Sequence, residues 1–130
     1  MQPEDFYTLD VHNAGKEVEL NDEDGNPTGC FLLVAGPDSD VWRDALAAMQ
    51  RDALMASFAD VETRTKGARR AEYLSRAVLD WRGFKDADGK PAEFDRKRIE
   101  KAFVMAPYVA DQIDKFVAKR GNFTKPPVKK

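Results

Sequence analysis

The apolar residues of this chain change their spacing at Asp38, and that change limits what it can fold into. Before it, Phe6, Thr8 and Asp10 alternate with Tyr7, Leu9 and Val11, Val18 and Leu20 bracket Glu19, and Cys30 to Val34 form a short apolar run. Alternation by two and short buried runs are strand signatures. Asn13-Ala14-Gly15 and Asp24-Gly25-Asn26-Pro27 separate these runs with residues suited to turns. Residues 1–37 therefore predict a small antiparallel sheet of two or three strands. Such a ribbon is marginal in water by itself, so helices from the rest of the chain must cover it.

After Asp38 the period is helical. Ser39 or Asp38 can cap a helix in which Trp42, Leu46, Met49 and Ala53 recur at four, three and four residues, with Val41, Ala45, Leu54 and Phe58 widening the stripe. The polar stretch Asp60 to Gly67 predicts a hinge. Ala71, Leu74, Val78 and Trp81 then mark a second helix that stops before Gly83. A loop rich in turn residues runs from Phe84 to Phe94. Asp95 can cap a third helix with Ile99, Ala102, Phe103 and Ala106 inward, and Pro107 suits the first position of a fourth, to Arg120, with Val109, Ile113, Phe116 and Val117 on one side. Gly121 to Lys130, with Pro126-Pro127 and three lysines, predicts a flexible tail.

The expected fold is thus α+β and predominantly α-helical, with a small N-terminal sheet followed by about four helices. At 130 residues, 42% of them apolar, the chain has core enough for one domain over residues 1–120, with a β-rich part (1–37) and a helical part (38–120). The single cysteine, Cys30, allows no internal disulfide and fits a reducing cytoplasm. No apolar run approaches the roughly 20 residues of a membrane span, and Met1 to Asp10 lacks the basic and apolar regions of a signal peptide. The expectation is a protein that neither enters a membrane nor is secreted.

Chemistry-bearing patterns are few. His12 is the only histidine, and with Cys30 far off in sequence a catalytic pair is not expected; a lone cysteine acts more often as a small hydrophobe. Without paired cysteines or a second histidine no standard zinc pattern exists, so neither metal nor cofactor is expected. Asp22 to Pro27 and Asp86 to Pro91 share the form Asp-x-Asp-Gly-x-Pro. Setting either glycine at position six of a calcium loop leaves Leu20 or Phe84 as first ligand, so both read as tight turns.

The net charge of −2 hides a polarity: residues 1–40 carry ten acids against Lys16, a balance of −9, and the remainder carries +7. That asymmetry can steer head-to-tail association of copies or a partner of either sign, or simply solvate a compact monomer; self-association is the expectation, with the acidic third of one copy near the basic region of another. The stretch Arg64 to Arg76, including Arg69 and Arg70, is the one candidate for nucleic-acid contact. Glu62, Glu72 and Asp80 interrupt it, which favours a solvated face and makes nucleic-acid binding unexpected. Trp81, Phe84, Phe94, Phe103 and Phe116 read as core before docking groove. With eight Phe, two Trp, three Tyr and four Met, an exposed remainder involving Met49, Met55, Phe58 or Phe123 is expected, as a partner-binding patch.

The run Val78-Leu79-Asp80-Trp81-Arg82-Gly83-Phe84, then Asp88-Gly89-Lys90-Pro91-Ala92-Glu93-Phe94, then Ala106-Pro107-Tyr108-Val109-Ala110-Asp111-Gln112-Ile113 with Phe116, resembles the tail assembly chaperones of long-tailed, lambdoid bacteriophages. Val34 to Asp40, with Arg43 after it, is similar to that family's strand-to-helix junction. The resemblance spans roughly residues 30 to 120, and its motif positions are Trp81, Gly89, Pro91, Phe94, Pro107, Ile113 and Phe116. It implies a non-enzymatic role in the host cytoplasm: binding the tape measure protein before tube subunits polymerise, and absence from the virion. It also implies a longer product, made by ribosomal frameshifting, that recruits the major tail tube protein. Lys125 to Lys130 is compatible with an A-rich slippery run. Alternatives are a nucleic-acid-binding regulator using Arg64 to Arg76 and a virion head-tail joining protein.

Overall fold

The computed structural model describes residues 1–59 and 66–123, with side chains at all of these except 56–59, 66 and 120. Its elements are a 3-10 turn (Pro3–Phe6), α1 (Leu9–Ala14), β1 (Lys16–Asn21), β2 (Pro27–Val34), α2 (Asp40–Ala59), α3 (Lys66–Ala77), β3 (Val78–Arg82), α4 (Arg96–Met105), α5 (Pro107–Ala118) and a closing 3-10 turn (Arg120–Phe123). This is a mixed α+β fold in which helices outweigh a three-stranded antiparallel sheet ordered β1-β2-β3.

The turn between β1 and β2 is built by Asp22, whose Oδ1 accepts from the N–H groups of Asp24 and Asn26 at 3.0 and 2.9 Å. The related segment does the same work elsewhere: Gly89, at φ +82°, donates to the Asp86 carbonyl at 2.9 Å, and Lys85 bridges to Pro91 across the loop. Both acidic repeats are therefore backbone turns, as their composition suggested.

Two expected elements are different. Phe6 to Val11 is not a strand. Its alternation has nothing to bury, since Phe6 is 69% exposed and Tyr7 and Leu9 are open too, and helical spacing instead brings Thr8, His12 and Asn13 onto the start of α2. The second helix ends at Ala77, and Val78–Arg82 pairs with β2, Leu32 opposite Trp81 and Val34 opposite Val78. Spacing at 71, 74 and 78 fits a helix equally well; what ends it is tertiary. Arg96 donates at 3.1 Å to the Ser75 carbonyl, an acceptor that the helix end leaves open, and at 2.9 Å to the Val78 carbonyl at the start of β3. Gly83 consequently follows a strand and not a helix.

The other helices follow their sequence signals. Ser39 Oγ accepts from Trp42 N–H and Asn13 Oδ1 from Asp40 N–H, so α2 is capped from its own chain start and from α1. Asp95 accepts from the N–H groups of Lys97 and Arg98 at the head of α4. Pro107 opens α5. The core lies between the sheet and α3, α4 and α5, and includes Leu32, Val34, Leu74, Ile99, Phe103 and Ile113. Gln112 on α5 closes the end of β1, accepting from Asn21 N–H at 2.9 Å and donating to Asn21 C=O at 2.8 Å, as a neighbouring strand would.

The chain end also departs from expectation. Arg120–Phe123 forms a turn whose Phe123 is 1% exposed, packed against Phe116 and His12 at ring separations of 5.2 and 5.4 Å. The packed body therefore runs through 123, and the rest of the expected tail, 124–130, lies outside the described residues. The expected hinge at 60–67 falls outside them as well, up to residue 65.

Candidate partner-binding groove

Helix α2 is 20 residues long, about 30 Å at the usual rise. Its core contact is made by small residues, Ala45 and Ala48, both buried. The larger members of the expected stripe are turned aside: Leu46 is 43% exposed, and Met49 and Trp42 are half-buried. Residues 50–55 are all exposed, with Leu54 at 56% and Met55 at 65%. Alanines hold the helix to the body while its bulky side chains line an open flank.

That flank forms one wall of a groove of about 350 Å³, made of Trp42, Leu46 and Met49 from α2 and Tyr73 and Leu74 from α3. Trp42 is locked by its indole N–H, which donates to the Ala35 carbonyl at 2.9 Å. Tyr73 reaches across to donate to Asp52 on α2 at 2.7 Å. The walls are thus fixed before any partner arrives, which lowers the ordering cost of binding.

Arg69, Arg70 and Asp114 form the polar rim. Arg70 bonds Asp111 at 2.7 Å, lies 3.5 Å from Asp114, and donates to the Pro107 carbonyl, tying α3 to α5. The Asp114 carboxyl is raised above its ordinary value because burial outweighs the lowering effect of Arg70, and Asp111 pushes it further up. The rim is polar and paired within itself through Arg70, and the floor is apolar.

Of the expected patch, Met49 lines this groove and Met55 is exposed on the same helix, so the two belong to one element. Phe58 is in α2, but its side chain lies outside the described residues. Phe123 is a correction: it is buried core and offers no docking surface, because the closing turn folds it onto Phe116 and His12. Arg69 and Arg70 sit together on the rim. Trp42, Leu46, Tyr73 and Asp114 were missed as site residues; the signal was a bulky stripe at four-three-four spacing beside alanines, which is more apolar surface than one neighbour covers.

The motif residues serve the scaffold. Trp81 stacks on Phe84 at 4.8 Å and meets Phe94 edge-on at 5.4 Å, and its indole N–H donates to the Ala92 carbonyl. Gly89 and Pro91 shape the loop that returns Phe94 to this cluster. Ile113 is fully buried and Phe116 packs on Phe123. His12 and Cys30 have separate neighbours: His12 Nδ1 accepts from Asp38 N–H at 2.9 Å, while the Cys30 thiol faces the Gly83 carbonyl. Gly36 packs so closely on the imidazole that any Cβ there would overlap it. Among the described residues, no group of three His, Cys, Asp or Glu is placed to hold a metal, and no helix is long and apolar enough to cross a membrane.

No protein-family model matches this chain, and no curated protein or solved structure matches it either.

Proposed function

We propose that the chain is a tail assembly chaperone of a long-tailed phage, acting in the host cytoplasm as a non-catalytic binder of the tape measure protein. The observation that carries this reading is the open apolar flank of α2 and its groove, on a fold in which Trp81, Phe94, Ile113 and Phe116 of the resembling runs serve as scaffold. A tape measure protein presents long helices with apolar stripes. A preformed groove rimmed by Arg69, Arg70 and Asp114 accepts such a stripe one patch at a time, and many copies along one client multiply a modest affinity. Recruitment of the major tail tube protein through a frameshifted longer form, and absence from the virion, belong to the same reading.

The rim speaks against the nucleic-acid alternative, because Arg70 is engaged by Asp111 and Asp114, and Arg76 by Glu72 at 3.0 Å. Co-expression with the tape measure protein of the same phage tests the proposal. The client should stay soluble and co-purify with the chain, and Leu46→Glu with Met49→Glu should abolish both effects. A client that aggregates equally with and without the chain contradicts the reading. Tight, salt-sensitive binding of the chain to duplex DNA, lost in an Arg69→Ala/Arg70→Ala variant, would replace it with the alternative.

A further inference from the structure

We propose that His12 is an acid-released latch: neutral, it holds the two ends of the body together, and acid frees α1 and the closing turn from the head of α2 while the sheet stays paired. The imidazole is 1% exposed and touches three parts of the chain. Its Nδ1 accepts from the Asp38 N–H at 2.9 Å, the Phe123 ring packs on it at 5.4 Å, and the Gly36 N–H donates to the His12 carbonyl at 2.9 Å. Gly36 also walls the ring in, since a Cβ there would come within 2.5 Å of it.

The hydrogen bond at Nδ1 decides which form of the ring fits. A nitrogen that accepts from a backbone N–H carries no proton, so the packed ring is neutral with its proton on Nε2. A proton on Nδ1 would set two N–H groups against each other and place a charge where water does not reach. The carboxylate that faces the ring is Asp38, with Oδ2 4.0 Å from Nδ1, but the Thr8 hydroxyl already donates to that oxygen at 2.6 Å. Turning toward it would cost the Asp38 N–H bond and displace Thr8, and Gly36 and Phe123 crowd the ring. Asp40 on α2 is bonded to Asn13 at 3.1 Å, while Asp10 on α1 and Lys119 just after α5 are exposed. An unpacked imidazole takes up a proton as pH falls through about 6.5. The packed one does so only after leaving its site. The latch is therefore complete above that pH and weakens below it, its opening rising by up to about tenfold per pH unit. The loss stays local because β2 and β3 pair through 31–34 and 78–82, none of which touches the imidazole.

Amide exchange and imidazole NMR on the full chain, from about pH 8 to about pH 5, read the latch. At neutral pH the ring carbons should report the Nε2–H tautomer. Below about pH 6.5, protection at 9–14, 36–40 and 121–123, corrected for the intrinsic exchange rate, should fall by up to about tenfold per unit, and the ring should charge together with that loss. Residues 31–34 and 78–82 should keep their protection. His12→Gln, which retains an acceptor oxygen and does not titrate, should hold the same segments level over this range; Asp114 is common to both chains and cancels. Where that variant fails to fold, the parent's ring titration against its own exchange decides. An Nδ1–H tautomer, a ring that charges near 6.5 with protection unchanged, a loss that takes the sheet with it, or an equal loss in His12→Gln overturns the proposal.

Discussion

Trp81 and Phe123 hold the two ends of the body. Trp81 joins β3 to the returning loop through two aromatic contacts and one hydrogen bond, and Phe123 joins the chain end to α5 and α1. Replacing either with Ala removes a large ring from a packed site, and each change should cost about 3 kcal/mol, read as a fall in melting temperature of about 10 °C. An unchanged melt for Trp81→Ala would remove its scaffold role. Asp114 supplies a pH test. Its carboxyl is raised in the fold, so the folded state holds a proton that the unfolded chain has released. The stabilisation this gives is complete below the ordinary 3.8 and is lost as pH rises through the raised value. Urea midpoints measured across that window should therefore fall, relative to Asp114→Asn, as pH increases; parallel profiles contradict the assignment.

At the scale of elements, what could be read in advance was whatever local chemistry decides. Ser39 and Asp95 cap their helices, Pro107 starts one, and the two Asp-Gly segments turn the backbone, because each acts on neighbours a few residues away. What escaped depends on distant partners. Val78 leaves the helix because Val34 and Arg96 wait for it, and nothing in the local spacing distinguishes that outcome from one more helical turn. The alternation at Phe6 to Val11 satisfied a strand template, yet the segment runs from a 3-10 turn into α1, which spends His12 and Asn13 on the head of α2. Phe123 sat among Gly, Lys and Pro, a tail-like composition, and its burial follows from the space between Phe116 and His12. The groove was half legible: Met49, Arg69 and Arg70 were singled out, whereas the open flank at Leu46 depends on which face of α2 its alanines commit to the body.

On the scale of the whole molecule, the acidic N-terminal part and the basic remainder create a field that acts on encounters between copies and with partners. On the proposed function, affinity comes mainly from the apolar flank, because exposed charges are screened beyond about 8 to 10 Å at physiological ionic strength. In the proposed function, recognition falls to one surface, α2 with the start of α3, and the Trp81–Phe94 cluster serves stability alone. Hydrogen exchange of the complex with the tape measure protein, compared with the client-free chain at a concentration where it is monomeric, tests that division most directly. Exchange should slow across residues 42–55 and 69–74 and stay unchanged across 84–94; protection centred on 84–94, with none on α2, would contradict it.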